Sequence, residues 1–548
     1  MTHTKTPEQE GSLTALGLWL GLLSSLAVLG LLWMGSQLWA LPFVPFDLFD
    51  WLARVLPGWL IGSVISGMVA VIRALQNILP IGNISDTAKL TEQGMALGLL
   101  VAAGGGLGAL LGWQARRNPG QLSFYGQLAG LALLAGVLLI EITLGKALRG
   151  FAMVWLAVVL VGWGWGLAAL LQRGRAAHSS PLSRRQFLRV SGAGLAAAAL
   201  GSWGLAQLFG SVKRLPERSE GAAEALDPSD PFGSQLTSGP AASPSAEALA
   251  GRPAPVPGTR PELTSTADFY RIDINTMAPQ VAESSWRVQV HGLVNHPLQL
   301  SLSDIRSLPA QTQILTMQCI SNPIGGDLTS SSRWTGVPLP YLLAEVDPQA
   351  GVVGAHITAA DGFDEFVVLE DLQDQRCMLV YAMNDEPLPS EHGYPLRIYI
   401  PNRYGMKQPK WITSIEFVSE RMDGYWVRRG WDREAIPHTV SVVDTVMVEP
   451  GEGAGGMVYT GGIAWAGARG ISKVEVQVDS QGWQAAELIQ PELSPLNWTL
   501  WKYGWPYERG RHTISVRAYD GSGQLQDLTP RGTIPSGATG IHSATVDL

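Results

Sequence analysis

Long apolar stretches alternate with short polar loops over the first 210 residues of the chain. The clear stretches lie near 13–39, 94–114, 122–143, 151–171 and 190–210. Each comes close to the roughly 20 residues with which a helix crosses the apolar part of a bilayer. Another stretch, near 51–78, is interrupted by Arg54, Pro57 and Arg73 and fits either a further span or a helix at the membrane surface. The pattern predicts a membrane domain over 1–210 with five transmembrane helices, or six if this stretch also crosses.

The arginines between these stretches set the predicted orientation. Arg116 and Arg117 follow the second clear stretch, and five more arginines occur within 173–189, before the last one. Loops rich in Lys and Arg stay on the cytoplasmic side of a membrane. We therefore expect both loops to be cytoplasmic. The chain after residue 210 is then extracytoplasmic, on a cytoplasmic membrane that it crosses several times, and this holds for five spans and for six.

The segment S-S-P-L-S-R-R-Q-F-L-R-V, just before the last apolar stretch, resembles a twin-arginine export signal. The matching residues are Ser183, Arg184, Arg185, Phe187 and Leu188. Plain charge anchoring would explain the arginines but not their Ser, Phe and Leu neighbours. The resemblance implies the twin-arginine export machinery as a partner. Because that route carries folded domains, a cofactor can be inserted before export, and the segment then remains as the last membrane anchor.

Glu141, near the outer end of the third stretch, is the single acidic residue within the five clear stretches. A carboxyl group in lipid is costly and is therefore a functional candidate. The simpler interpretation, which we prefer, is that the side chain lies close enough to the interface to reach water. The five stretches contain no histidine, which excludes paired imidazole ligands for a haem inside the membrane.

The pattern changes completely after the last apolar stretch. Residues 211–263 are rich in Pro, Ala, Ser, Gly and Glu and predict a flexible linker. Short runs rich in Val and Ile follow, such as W-R-V-Q-V-H-G-L-V and K-V-E-V-Q-V, and predict strands with few, short helices between them. The expected fold is multi-domain: an α-helical membrane domain, an α+β domain over 264–436, and an all-β domain over 437–548.

Composition excludes several classes of protein and site. Charged residues make up 15% of the chain against about 25% in ordinary soluble proteins, in line with a membrane domain. The net charge of −8 gives no basic footprint for nucleic acid. Two cysteines, Cys319 and Cys377, are too few for a disulfide scaffold, a four-thiolate iron–sulfur cluster or a cysteine-rich zinc site. Cys377 lies within an apolar strand pattern and is expected in the core.

Three stretches of the second half carry a family resemblance. They are L-T-M-Q-C-I-S-N-P-I-G-G around Cys319, followed by W-T-G-V-P-L; L-V-Y-A-M-N-D-E-P-L-P-S-E-H-G-Y-P-L-R at 379–397; and I-P-N-R-Y-G-M-K-Q-P-K-W-I at 400–412. Together they resemble the sulfite oxidase family of molybdenum cofactor enzymes over about 264–540. The last part, 465–523, resembles the immunoglobulin-like domain that follows the catalytic domain in this family.

The resemblance implies a molybdenum–molybdopterin cofactor with Cys319 as a metal ligand. A thiolate is the soft anionic donor that such a metal prefers, and basic and polar side chains suit a pterin with a phosphate tail. The expected cofactor-binding residues are Cys319, Asn322, His392, Arg397, Lys407 and Lys410. The expected catalytic residues are Cys319, Arg271, Arg428 and Trp431, the two arginines holding substrate charge.

Three departures from the family pattern bear on the substrate. Pro323 and Ile324 stand where the sulfite-oxidising members have two arginines, and Asp273 stands where the family has a histidine. Trp431 replaces an expected tyrosine, which removes a hydroxyl donor. These changes predict poor binding of sulfite and a less charged substrate.

The sequence therefore predicts oxygen-atom transfer on a small substrate at the extracytoplasmic face of a membrane. No haem domain of the kind fused in the animal enzymes is present in the sequence, so electrons are expected to leave to a separate carrier, either a cytochrome or a quinone-linked one. Two alternatives stay open. One is a reductase of a sulfoxide-type substrate, and the other is a non-catalytic membrane-bound binding protein with a vestigial cofactor pocket.

Overall fold

The computed structural model describes two compact units of the chain. The described residues are 7–39, 41–56, 67, 71, 84–146, 150–176, 181–213, 249, 251–449 and 456–548. The first unit holds the helical part together with Asn275–Met277, and the second holds nearly all of the chain after the linker. Most of the predicted linker and most of the stretch at 51–78 lie outside the described residues.

The first unit consists mainly of helices. Its helices are α1 (Pro7–Trp39), α2 (Val44–Val55), α3 (Ile84–Arg117), α4 (Leu122–Thr143), α5 (Gly150–Ala176) and α6 (Pro181–Lys213). Among the described residues, the stretches long and apolar enough to cross a membrane are Leu13–Trp39, Thr87–Arg117, Pro119–Thr143 and Gly150–Ala176. They coincide with the first four clear stretches of the sequence. The fifth, 190–210, lies in α6, which is not among these four.

Glycines bring the backbones of α1 and α3 into direct contact. Gly17 and Gly21 of α1 face Gly104 and Gly108 of α3, each pair four residues apart. A Cβ atom added to Gly108 would lie 2.0 Å from the carbonyl oxygen of Gly17, and one added to Gly21 would lie 2.1 Å from that of Gly104. Small residues at this spacing let helices pack closely in lipid, where van der Waals contact replaces the hydrophobic driving force.

Glu141 does not reach water, so that expectation is wrong. Its side chain in α4 is 0% exposed. The reason is that the short helix α2 packs beside α4 and brings Asp47 next to Glu141.

The second unit consists mainly of strands. In chain order they are β1 (Val288–Gly292), β2 (Leu298–Leu300), β3 (Gln311–Gln318), β4 (Thr329–Pro338), β5 (Gly354–Ala359), β6 (Asp364–Val368), β7 (Met378–Met383), β8 (Glu386–Pro387), β9 (Arg397–Tyr399), β10 (Ile412–Val418), β11 (Val440–Glu449), β12 (Met457–Trp465), β13 (Ile471–Val478), β14 (Gln484–Ala485), β15 (Glu487–Leu488), β16 (Thr499–Pro506), β17 (Arg511–Asp520) and β18 (His542–Asp547). Its short helices are α7 (Leu302–Arg306), α8 (Leu339–Val346) and α9 (Leu369–Leu372).

Two sheets form the domain that contains Cys319. One runs in the order β2-β1-β10-β5-β6, with β1 and β10 parallel. The other runs β3-β4-β7-β8, with β9 also paired to β7. Apolar residues alternate along the strands, so that Val288 and Val290 are fully buried while Gln289 between them is exposed. The largest apolar core of the unit gathers such residues from β1, β5, β9 and β10 around α8.

Two further sheets follow toward the C-terminus, in the orders β11-β12-β16-β15 and β14-β13-β17-β18. Val458 and Trp501 of the first and Val476 and Val516 of the second belong to one apolar core. A helical part, a β-rich domain with short helices and a pair of C-terminal sheets thus follow one another in the predicted order.

The described end of the predicted linker differs from the expectation of a flexible tether. Residues 251–263 form turns that pack on the C-terminal sheets. Val256 is 5% exposed, and Arg260 forms an ion pair with the buried side chain of Asp444 at 2.9 Å. A few apolar and charged residues in a segment rich in Pro and Gly are therefore enough to order it against a neighbouring domain.

Replacing Gly108 with Ala should destabilise the first unit by about 1–3 kcal/mol, because the added methyl group overpacks the contact with Gly17. Gly106→Ala is the matched control, since the same helix leaves open space at Gly106 and Ala is the better helix former. Thermal unfolding of the purified chain in detergent measures both variants. Equal stability of the two would contradict the close contact of α1 and α3.

Candidate active site

Cys319 stands at the end of β3, where the chain turns back into β4. The β3–β4 hairpin ends with Gln318 paired to Thr329, and the connecting loop is tied across its base. The Cys319 backbone N–H donates to the Leu328 carbonyl at 2.9 Å, and the Leu328 N–H donates to the side-chain oxygen of Asn322 at 3.0 Å. Asn322 therefore stabilises the conformation of the cysteine loop. The sequence had predicted it only as a cofactor-binding residue.

The Cys319 thiol is buried beside Ser321. The residue is 8% exposed, and Sγ lies 3.0 Å from the Ser321 hydroxyl oxygen. Burial raises the pKa of the thiol more than the hydrogen bonds of Ser321 lower it. Deprotonation therefore calls for a bound positive centre, which is how a metal ion activates a buried thiol. Among the described residues, no three His, Cys, Asp or Glu side chains are grouped to hold a metal. A metal at Cys319 would need its other ligands from a cofactor.

Arg397 is a buried cation near the same apolar cluster. It is 5% exposed and lies 4.9 Å from the Trp334 ring; its guanidinium donates to the His392 carbonyl at 3.0 Å and lies 3.7 Å from Met317 Sδ. Trp334, Met317 and Cys319 all belong to that cluster. Within the described part of the chain no carboxylate lies within 4.0 Å of Arg397. Burial lowers the pKa of its guanidinium to about 10, so Arg397 remains a cation at neutral pH.

His392 lies in a turn that Gly393 makes possible. Gly393 has a φ of +116°, and a Cβ atom there would lie 3.1 Å from the Cβ atoms of both Arg397 and Lys410. Burial and the charges of Lys410 and Arg397 lower the pKa of His392 to about 4, so its ring is neutral. Nε2 lies 3.2 Å from the Thr266 carbonyl oxygen and must donate to it. Nδ1 is then an acceptor.

Asp273 bridges two of the predicted cations. Its side chain is 1% exposed, accepts from Arg271 Nε at 2.5 Å and forms an ion pair with Lys410. Lys410 Nζ also donates to the Glu391 carbonyl at 3.1 Å. Burial lowers the pKa of Lys410 to about 8, although Asp273 opposes that shift. The Asp that replaces the family's histidine therefore fixes Arg271 and Lys410 together.

Lys407 and Arg428 instead each form an ion pair with a carboxylate of β6. Lys407 Nζ lies 2.8 Å from Glu365, and both side chains are buried. Arg428 is 46% exposed and lies 2.6 Å from Asp364. Burial would raise the pKa of Asp364, but the hydrogen bonds from Arg428 and His356 outweigh it and hold that pKa at about 2. The predicted roles of Lys407 and Arg428 in binding would have to compete with these ion pairs.

Trp431 packs on an apolar cluster that also includes a residue of the cysteine loop. Trp431 is half-buried and, like Ile324, packs against this cluster, one member of which is Ile320, the residue after Cys319. Its ring lies 6.4 Å from the Trp426 ring, edge to face. The structure therefore brings together two of the three departures that the sequence singled out, and makes this side of the loop apolar.

Two tyrosines near Cys319 were missed. Tyr270 belongs to the apolar cluster of Cys319 and is 8% exposed; burial and the neighbouring cysteine raise its pKa. Tyr404 is fully buried, its hydroxyl oxygen accepts from the His438 N–H at 3.0 Å, and burial raises its pKa to about 12. The sequence could have pointed to both: Tyr270 directly precedes the predicted catalytic residue Arg271, and Tyr404 begins the family stretch Y-G-M-K.

Comparison with known proteins matches this region. The family described as "Oxidoreductase molybdopterin binding domain" covers residues 275–426. The uncharacterized oxidoreductase YuiH of Bacillus subtilis is 34% identical over 156 residues, which is 28% of this chain and 76% of that protein. Mitochondrial sulfite oxidase of Mus musculus is 27% identical over 307 residues, covering 46% of this chain and 55% of that enzyme. The crystal structure of the sulfane dehydrogenase SoxCD from Paracoccus pantotrophus is 20% identical at a TM-score of 0.45, and the match covers 52% of this chain and 81% of that one.

The match spans only about half the length of the mouse enzyme, but it covers most of the Bacillus relative at 34% identity. Together with the molybdopterin domain that includes Cys319, this confirms the resemblance read from the sequence and the molybdenum–molybdopterin cofactor that it implied. The chain belongs to the sulfite oxidase family of molybdopterin-dependent oxidoreductases.

Proposed function

We propose that the chain is a membrane-anchored enzyme that oxidises a small, weakly charged substrate on the extracytoplasmic side of a cytoplasmic membrane. The substrate gains an oxygen atom from water, and two electrons leave to a separate carrier. The observation that carries this proposal is Arg397, a buried cation without a carboxylate partner among the described residues, next to the cluster that holds the Cys319 thiol.

The residues of this site fit the cofactor. An unpaired buried guanidinium is costly unless an anion binds it, and the phosphate tail of a molybdopterin is such an anion. Neutral His392 offers an acceptor at Nδ1 for a pterin N–H group. When bound, the cofactor supplies the metal and the two-electron redox chemistry, with the Cys319 thiolate as the protein's ligand. The fit also speaks against a vestigial pocket, because a lost ligand would leave Arg397 unpaired.

The chain's own residues would orient the substrate from two sides. Arg271 binds Asp273 through Nε, and its two terminal nitrogens have no hydrogen-bond partner among the described residues. They can hold one negative or polar group of a substrate. Trp431 and Ile324 present an apolar surface beside the cysteine loop, where they exclude water and favour a substrate with little charge. An immunoglobulin-like form of the two C-terminal sheets is part of the proposal, supported by their shared core.

Four helices within the described part of the chain are long and apolar enough to cross a membrane, and they support the anchor. The arginine-rich loops at 115–118 and 172–189 favour the side proposed here, and the S-R-R-Q-F-L segment at 183–188 favours export of a folded catalytic domain through the twin-arginine machinery.

Replacing Cys319 with Ser should abolish turnover, because a serine hydroxyl is not a soft anionic donor for the metal. The fold should persist, since Ser is nearly the same size. Cys377→Ser is the control: it changes a buried core cysteine of the same domain and should lose stability but keep activity per folded molecule. Steady-state kinetics with an artificial electron acceptor and thermal unfolding measure both. Full activity of the Cys319 variant would rule out its role as metal ligand.

Sulfite should be a poor substrate of the natural chain. A charge-assisted hydrogen bond contributes about 1.5–3 kcal/mol, so each donor lost at Pro323, Ile324 and Trp431 weakens binding of a dianion roughly tenfold or more. Trp431→Tyr should raise kcat/KM for sulfite, whereas Trp426→Tyr, in the neighbouring ring, should not. Kinetics of the molybdenum-loaded chain test this, and efficient saturation of the natural chain by micromolar sulfite would refute it.

Changing Arg184 and Arg185 together to Lys should trap the catalytic domain in the cytoplasm, because a twin-arginine signal needs arginines and not charge alone. The matched control is Arg173→Lys with Arg175→Lys, which changes two arginines of the same loop outside the motif. A reporter fused after Leu548 that is active only outside the cytoplasm reads the outcome. Normal export of the Arg184/Arg185 variant would show that these residues are charge anchors.

A further inference from the structure

The tip of the cysteine loop leaves no room for a side chain at Gly325. This glycine has a φ of +74°, in the left-handed region that favours glycine. A Cβ atom added to it would lie 2.3 Å from Nε2 of His542, the first residue of the last strand, β18. The His542 ring therefore occupies the place that a side chain at Gly325 would take.

A hydrogen bond fixes the orientation of the His542 ring. The Val443 N–H of β11 donates to Nδ1 of His542 at 3.0 Å. Burial and the charge of Arg260 lower the pKa of His542, so the ring is neutral, and its one proton is on Nε2, the atom beside Gly325. Val443 belongs to one C-terminal sheet and His542 to the other. The ring thus connects both sheets to the tip of the loop.

The residue before Gly325 rests on the same part of the fold. Ile324 packs against the apolar cluster that includes Val440 and Val442 of β11. Together with Gly325, these residues line a cavity of only about 10 Å³. A space of that size holds at most about one water molecule. The tip of the cysteine loop is therefore seated directly on the C-terminal sheets.

We propose that His542 is a positioning residue for the substrate pocket: its ring holds the tip of the cysteine loop and, with it, the apolar wall at Ile324. The inference rests on the proposed function, which places a weakly charged substrate beside this wall. The base of the loop is held separately, by the hydrogen bonds that join Leu328 to Cys319 and Asn322. A shift of the tip should therefore change the fit of the substrate and leave the Cys319 thiol in place.

Two substitutions separate the contact of His542 with Gly325 from its hydrogen bond with Val443. The side-chain amide of Asn reaches the place of Nδ1 but not that of Nε2, whereas the amide of Gln reaches the place of Nε2. His542→Asn should raise amide hydrogen exchange in residues 319–329 roughly tenfold or more, and His542→Gln should stay within about threefold of the natural chain. Mass spectrometry of peptides from the full chain in detergent measures this without any turnover, and exchange in β1 and β10 should stay unchanged. Protection in the Asn variant with loss of protection in the Gln variant would overturn the proposal.

Gly325→Ala tests the same contact from the side of the loop. Its methyl group meets the His542 ring, so exchange in residues 319–329 should rise roughly tenfold or more, but combined with His542→Ala it should add little to the effect of that variant. Gly351→Ala is the matched control. Gly351 has a φ of +92° and open space around it, so its own loop shows the effect of the backbone conformation alone. Additive effects of Gly325→Ala and His542→Ala would contradict the contact.

Kinetics distinguish a positioning role from a purely structural one. In the molybdenum-loaded full chain, with sulfite as the probe and an artificial electron acceptor, His542→Asn should change KM at least about threefold and kcat less than about twofold. A loss of kcat at an unchanged KM would overturn the role in the pocket. Loop-specific exchange in a chain that turns over no substrate would support the positioning of the loop by His542 and refute the proposed function.

Discussion

The guanidinium of Arg397, buried without a carboxylate in ion-pair contact among the described residues, is the constraint around which the catalytic domain is arranged. Two further cations, Arg271 and Lys410, lie near it and share the single carboxylate of Asp273. Burial, together with the charges of Lys410 and Arg397, lowers the pKa of His392 and keeps its ring neutral. Such an excess of positive charge in a buried place is stable only when an anion from outside the chain completes it. The phosphate of a molybdopterin is an anion that would meet this need.

The same electrostatic rule separates Lys407, whose charge a carboxylate of the domain already neutralises, from Arg397, which has no such ion pair among the described residues. Lys407 stands in the same sequence stretch as Lys410, yet it is neutralised by Glu365 in a fully buried ion pair. Burial raises the pKa of Glu365, and Lys407 opposes that shift, so the two groups depend on each other. A second anion would gain little from Lys407, since its charge is already used. The motif therefore supplies one cation to the site and one to the framework of β6.

Local patterns were enough to predict the order of the domains and the apolar replacement at Trp431. They were not enough for the ion pairs, because the partners are far apart in sequence: Asp273 and Lys410 are separated by 137 residues. Nor could they place Glu141, whose burial depends on how α2 packs on α4. Residues 251–263 have the composition of a linker, and only the contact between Arg260 and Asp444 shows that they are ordered.

Buried charges in proteins are usually paired with charges of opposite sign. The two halves of the chain depart from this rule in opposite directions. The catalytic domain buries a cation without an anion at Arg397, whereas the helical unit buries two carboxyl groups against one ammonium group at Lys146. A fold gains nothing from either arrangement, because an apolar pair of the same size would be cheaper to bury. Each arrangement is therefore retained for a species that the polypeptide does not contain. For the catalytic domain that species is an anionic cofactor, and for the helical unit it is a proton.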